Sequence, residues 1–261
     1  FNAAHGLTSH TYLQPEPGGS NYSQSIRGDI SNGVAYANYT AHCSANGWAD
    51  PTFNIGHIAQ LSNQDKYPLM VGNCCSSVEF QTTCFGEEIL RAENKGALGY
   101  IGGSNSTYWD EDFWWGVGFE TITSSPSYNA DHLGAYDRLF HDNVEILDEW
   151  YVTQGQMPSA GNLAVTQAGS SLETYYWEIY HLMGDPSVMI YFSQPPVAAA
   201  NYQGLMPLSV STFEVTTDPY AYVAISKDGV LHGCGIANES GIAEVIMFNP
   251  IVVPGDADVV I

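Results

Sequence analysis

The chain has 261 residues, enough for one large domain or two ordinary ones, and its 44% apolar and 13% aromatic content can build a core. It carries 28 acidic residues against six basic ones, a net charge of −22, which leaves almost nothing to neutralise nucleic-acid phosphates or an anionic membrane surface. No apolar run approaches the roughly 18 residues of a membrane-spanning helix, and the opening FNAAHGLTSH lacks the basic start and apolar stretch of a signal peptide.

In chain order, residues 1–32 are rich in Gly, Ser, Asn and Pro and read as loop. GVAYANYTAH (33–42) reads as a short strand, and a loop then leads to a short helix near 54–61. YPLMVGN (67–73) is a continuous apolar run between turn residues, the pattern of a buried parallel strand. CFGEEILRAENKG (84–96) reads as an amphipathic helix stopped at Lys95-Gly96, and ALGYIGG (97–103) as a second buried strand. Apolar residues at 133, 136, 140, 144, 147 and 151 carry a helical spacing over 131–154, and a further helix is expected over about 172–183, running into a turn and strand at MGDPSVMIYF. QPPVAAANYQGLMP (194–207) reads as a linker. Beyond it, apolar and polar residues alternate around KDG and ESG turns, which predicts an antiparallel β module, a small sandwich.

Strands alternating with helices point to a parallel α/β sheet, and ligands bind such sheets beyond the carboxyl ends of the strands. Two of the predicted strands end in reactive residues: the first at His42, the second at Cys74-Cys75. A cysteine nucleophile needs a base that raises its thiolate fraction and later protonates the leaving amine, and histidine does both. Backbone N–H groups at a glycine-rich strand end suit a developing oxyanion. Five cysteines (43, 74, 75, 84 and 234) leave at least one thiol free or paired outside the chain. Adjacent Cys74 and Cys75 are poorly placed to bond each other, and no C-x-x-C pair points to zinc. Total charge is only 13%, so the chain is poor in bases more than rich in acids. That fits solubility or salt adaptation, and equally a life beside a protease that cuts after Lys or Arg.

ANYTAHCSANGWADP, DKYPLMVGNCC, CFGEEILRAENKGALGYIGGSNSTYWDEDFWWGVG, AGNLAVTQAG, YYWEIYHLMGDPSVMIY and YVAISKDGVLHGCGIANESG together resemble the gingipains, cysteine peptidases of the caspase-like clan, most nearly the lysine-specific members. The resemblance covers roughly 33–261. It implies a secreted or surface-exposed bacterial endopeptidase: a caspase-like α/β/α catalytic domain, with its N-terminal part missing, over 1–195, then an immunoglobulin-like β domain over 196–261. By position it makes His42 and Cys75 the catalytic pair and the backbone amides of Cys43 and Cys75 the oxyanion donors. In SNSTYWDEDFWW it puts the acid of a lysine pocket on Asp112, with Tyr108 and Trp109 in the wall and Thr40 and Asn73 nearby. It also implies structural Ca2+ near Phe80 and Glu87, and protein or peptide substrates. This chain departs from the pattern at Cys43, where family members have glycine. A side chain there would crowd the oxyanion site or trap Cys75 in a disulfide. The family's histidine-orienting acid lies upstream of residue 1, so an associated N-terminal chain from the same precursor is expected as a partner. The rival expectation is a non-catalytic binding or adhesion protein that keeps the fold. A third is a peptidase-like enzyme that joins its acyl product to an amine.

Overall fold

The computed structural model describes residues 8–16, 18, 20–127, 129, 131–136, 153–190 and 197–261. The chain divides into two compact units, Phe1–Ser193 and Gln194–Ile261.

The first unit is built on a four-stranded sheet in the order β1 (Tyr36–Thr40), β5 (Leu69–Asn73), β6 (Gly99–Gly103), β7 (Tyr180–Met183). β1, β5 and β6 run parallel, while β7 pairs antiparallel with β6. The wholly parallel sheet expected from the sequence is thus a mixed one, because a helical stretch expected to run to 183 ends at Ile179 and continues as β7. All five residues of β5 and of β6 are buried. That is why both read as unbroken apolar runs: each strand is covered on two faces.

The alternation of β5 shows the layers. Met70 faces a core with Ile26 and Ile30 of α1 (Tyr22–Asn32), Ile58 of α2 (Ile55–Ile58), and Phe85 and Ile89 of α3 (Phe85–Arg91). Leu69 and Val71 face the opposite core, with Trp115 of α4 (Trp109–Val117), Met157 and Val165 of α5 (Gln156–Gln167), and Tyr176 and Ile179 of α6 (Glu173–Ile179). Helices therefore lie on both faces of the sheet. A small antiparallel sheet of β2 (Cys43–Ser44), β3 (Gly47–Trp48) and β4 (Phe53–Asn54) continues from the end of β1. Its Trp48 stacks on Tyr39 at 4.8 Å and donates to the Tyr100 hydroxyl at 3.1 Å. Gly72 is required by that same phenol: a Cβ there would lie 2.0 Å from the Tyr100 oxygen.

Several boundaries differ from expectation. Residues 22–32, expected as loop, form α1, whose first turn is capped by the Asn21 side chain accepting from the Gln24 amide at 3.0 Å. Helix α3 stops at Arg91 instead of reaching Lys95-Gly96, since Ala92 is already extended. Gly96 instead turns the chain with φ +101, its N–H held by the buried Asn63 side chain. Of the helix expected over 131–154, residues 137–152 lie outside the described set, and 131–136 are not helical. The strand expected after Met183-Gly184 is reduced to a bridge between Thr153 and Met189 among the described residues.

In the second unit, six strands hydrogen-bond into one antiparallel sheet in the order β13 (Asp258–Val260), β10 (Tyr222–Lys227), β11 (Val230–Ile236), β12 (Ile242–Ile246), β9 (Thr212–Thr216), β8 (Asn201–Tyr202). Phe213, Val215, Val223, Ile225, Ala243 and Val245 alternate onto one face and, with Met247 and Ile251, form its core. Asp228-Gly229 turns β10 into β11 with both residues at positive φ. The small sandwich expected from the sequence is thus, among the described residues, a single six-stranded ladder.

Candidate active site

β1 and β5 are parallel neighbours whose last paired residues are Thr40 and Asn73. His42 and Cys75 each lie two residues further on, so the topology delivers both to one rim of the sheet. The Tyr39 hydroxyl donates to the His42 carbonyl at 2.7 Å, and the Ala49 amide donates to it at 3.1 Å. The His42 ring meets Trp109 edge-on, with centroids 5.3 Å apart. Among the described residues no carboxylate hydrogen-bonds that ring.

The Cys75 thiol is half-buried and uncombined. Its sulfur lies 3.3 Å from the Thr107 amide nitrogen and 3.8 Å from the Thr107 hydroxyl. The two other free thiols have different settings: Cys84 is fully buried, and burial pushes its pKa up, while Cys234 is exposed on β11 of the second unit. A thiol that resists ionisation inside a core is inert.

Cys43 does not trap Cys75. It is disulfide-bonded to the buried Cys74, with Cα atoms 5.6 Å apart, and its sulfur sits 2.8 Å from the Cys75 carbonyl oxygen. The sequence alone points to no bond between Cys43 and Cys74. The missed signal was register: Thr40 opposite Asn73 brings residues 43 and 74 together once both chains leave the sheet.

The amides here are oriented by local pairing. In β2–β3, the Ala49 N–H binds the His42 carbonyl, so Cys43 and Trp48 form the non-hydrogen-bonded pair of the antiparallel ladder. The Cys43 N–H consequently faces away from β3. Cys75 follows the end of β5, and among the described residues its N–H meets no acceptor.

Asp112, on α4, is the least exposed acid among the described residues, at 5%. The Tyr176 and Tyr180 hydroxyls donate to its Oδ1, each at 2.9 Å, and the Thr107 hydroxyl donates to Oδ2 at 2.7 Å. Asn73 donates to the Asp112 backbone carbonyl at 2.8 Å, and its own side-chain oxygen shares the single Tyr180 hydroxyl proton with Asp112. Burial raises the Asp112 pKa to about 6, against the opposing effect of the three hydroxyl donors. A cavity of about 290 Å³ opens here, lined by Thr40, Asn73, Trp109, Asp112, Phe113 and Tyr136 among others. Four of the five residues expected around a basic side chain therefore converge. The Tyr108 side chain does not line this cavity; it is 48% exposed, with its ring 6.2 Å from that of Tyr175. Thr107, Tyr176 and Tyr180 were not singled out from the sequence, since a hydroxyl bound to a buried acid leaves no local pattern.

Phe80 is exposed in a loop, and the Glu87 carboxylate accepts from Arg91 at 2.6 Å. Among the described residues no three His, Cys, Asp or Glu side chains gather as a metal site, and no helix is long and apolar enough to cross a membrane.

The family model for peptidase family C25 matches residues 3–191. Lys-gingipain W83 from Porphyromonas gingivalis is 40% identical over the whole of this chain, which spans 15% of that protein's length. A solved structure of a protease superposes with TM-score 0.78 at 40% identity, over 88% of this chain and 52% of that one. The Arg-specific cysteine proteinase gingipain R superposes with TM-score 0.74 at 22% identity, over 94% of this chain and 53% of its own, a likeness of fold. The chain thus spans about half the length of those solved structures and a smaller part of the full-length relative. On the extent of the family match, the chain belongs to peptidase family C25.

Proposed function

We propose that this chain carries the catalytic centre of a secreted cysteine endopeptidase that cuts after lysine. One observation carries the reading: Thr107 touches both the Cys75 sulfur and the Asp112 carboxylate, so a free thiol and a buried acid share a single residue. A lysyl side chain entering the cavity would set its ammonium against Asp112 and its aliphatic stem along Trp109 and Phe113. The carbonyl that follows would then lie beside Cys75. The thiolate attacks that carbon, and the oxyanion accepts from the amides of residues 43 and 75. His42, protonated on forming the thiolate, gives its proton to the leaving amine. It then takes a proton from the water that hydrolyses the thioester. Lysine is favoured over arginine because the relative named for lysine is 40% identical and the arginine-specific structure 22%.

The acid that orients His42 would come from an associated N-terminal segment of the same precursor. Among the described residues β1 is the outermost strand of its sheet, so its outer edge is available to further strands. The first unit reads as a caspase-like core and the second as an immunoglobulin-like module. Structural Ca2+ enters no catalytic step; if the fold holds it, chelation lowers the melting temperature.

The test is labelling with a lysyl chloromethyl ketone beside its arginyl analogue, with adducts mapped by mass spectrometry. A lysyl adduct on Cys75, and thiol-dependent hydrolysis lost in Cys75→Ala, are expected. Preference for the arginyl reagent would remove the role given to Asp112. No adduct in the assembled protein would leave the non-catalytic binding reading.

A further inference from the structure

The residues that would hold the oxyanion stand on two separate loops. Residues 41–43 are tied to their own side: His42 to Tyr39 and Ala49, and Cys43 to the β2–β3 hairpin. Residues 74–76 are tied elsewhere, the Cys74 amide to the Gly72 carbonyl and the Ser76 amide to the Asn105 carbonyl. Among the described residues no backbone hydrogen bond joins 41–43 to 74–76. The ladder between β1 and β5 ends at Thr40 and Asn73. Beyond that point the Cys43–Cys74 disulfide is the bond that spans the gap. It joins the residue after His42 to the residue before Cys75, and one of its sulfurs abuts the Cys75 carbonyl.

We propose that the Cys43–Cys74 disulfide is a positioning clamp for the peptidase reaction, holding the Cys43 and Cys75 amides in convergent register. The inference rests on the proposed function and adds to it a redox requirement of opposite sense at adjacent residues. Cys75 must be reduced to attack, while Cys74 beside it must stay oxidised. Their exposures suit this division, because Cys74 is 1% exposed and Cys75 is half-buried. In the disulfide a reductant would find the Cys74 sulfur buried and Cys43 only partly exposed. A clamp acts on geometry, so its loss should lower kcat, where oxyanion placement is felt, and spare the binding of the lysyl side chain at Asp112. Small displacements of such groups reach roughly 100-fold in rate.

The experiment compares wild type with the Cys43→Ser/Cys74→Ser double variant, using Cys234→Ser as control. Three readouts are taken: kcat and KM on a lysyl substrate, the affinity of a lysyl peptide aldehyde, and the rate of Cys75 alkylation by iodoacetamide. The aldehyde forms a tetrahedral adduct that needs the oxyanion site; iodoacetamide does not. A clamp predicts kcat and aldehyde affinity down at least tenfold, with KM and the alkylation rate within about threefold. Equal kcat and aldehyde affinity in variant and wild type would overturn the clamp while leaving the peptidase reading intact. If the variant does not fold, the wild type is treated in the folded state with a water-soluble phosphine. The disulfide then takes up two electrons and two protons, the phosphine becomes its oxide with oxygen from water, and the thiols are counted by mass spectrometry. Activity that falls with the fraction of reduced Cys43–Cys74 supports the clamp; activity that does not follow that fraction overturns it. Absence of Cys75-dependent hydrolysis in the assembled wild type would overturn the proposed function, and the clamp with it.

Discussion

Two cavities flank Cys75, and both are acidic. One, of about 290 Å³, contains the buried Asp112 beside the exposed Asp110; the other, of about 320 Å³, is lined by Ser76, Glu79, Phe80, Ser104, Tyr175 and Glu178 among others, with no buried acid. Their acids differ in setting more than in number. Asp112 is buried among hydroxyl donors and apolar walls, and among the described residues no Lys or Arg pairs with it. Glu178 is exposed and Glu79 only half-buried, with Phe80 beside them 64% exposed. Water already solvates those two carboxylates, so a cation gains little there. Asp112 has lost its water without gaining a counter-ion, and an entering ammonium restores what burial removed. The side chains that look most acidic from outside are therefore the less selective ones.

The sharpest way to break this contrast is Asp112→Asn. Removing one partner of a desolvated charge pair costs roughly 2–5 kcal/mol, so lysyl kcat/KM should fall about 30-fold or more. The same change should stabilise the unliganded fold at pH 7.5, on the order of 3 kcal/mol if the whole shift of Asp112 from 3.8 to about 6 is recovered. Activity and melting temperature would then move in opposite directions. A variant that keeps lysyl turnover, or that melts lower at pH 7.5 and pH 4.5 alike, would sink the assignment.

Acid should do reversibly what that substitution does permanently. The folded carboxyl holds its proton up to about pH 6, whereas the unfolded one releases it near 3.8. Its contribution to stability is thus complete below the lower value and is lost as pH rises through the upper one. Ligand binding runs the other way, because only the ionised form attracts ammonium. The dissociation constant of a lysine amide should rise tenfold per pH unit below about 6 and be flat above. A flat constant between pH 4.5 and 7.5 would contradict the description of Asp112.

Next in size is Tyr180→Phe. The Tyr180 hydroxyl lies against both Asp112 Oδ1 and the Asn73 side-chain oxygen, and it holds the carboxylate pKa down. Its loss should raise that pKa further and weaken lysyl binding by about tenfold at pH 6, consistent with roughly 1–1.5 kcal/mol for one such bond. At pH 8 the deficit should shrink, because the carboxyl is ionised there in either protein. A deficit of equal size at both values would point to lost packing instead.

How much of this was legible in the sequence depended on the range of the interaction. The buried strands β5 and β6 were plain, because burial on two faces leaves an unbroken apolar run. His42 and Cys75 followed from strand ends, and Asp112 from a motif resemblance. Helix α1 was hidden because its composition is that of a loop; an Asn cap and two buried isoleucines one turn apart stabilise it. The Cys43–Cys74 bond, the Thr107 bridge and the two tyrosines were illegible for a different reason. Each joins residues 31 to 68 positions apart, and only the sheet register and the placement of α6 and β7 beside Asp112 bring them together. A sequence read without its homologues carries no local trace of such pairings.

The weakest predicted effect tests the other side of the comparison. Glu79→Gln and Glu178→Gln, separately and together, remove the charge of the second cavity while keeping its shape. Were proximity to Cys75 enough to select a basic residue, these changes would cost as much as Asp112→Asn. Partial exposure argues otherwise: solvated surface substitutions stay within about 0.5 kcal/mol, so lysyl kcat/KM should change by less than about threefold. What remains should be salt-dependent and already screened at physiological ionic strength, where the Debye length is about 8 Å. Asp112→Asn should show the converse, a large loss insensitive to salt, because a buried pair is screened little. Measuring both variants at low and high salt on one substrate therefore separates a selective carboxylate from a merely nearby one. A large, salt-insensitive loss in the glutamate variants would move the lysine pocket to the cavity beside Ser76.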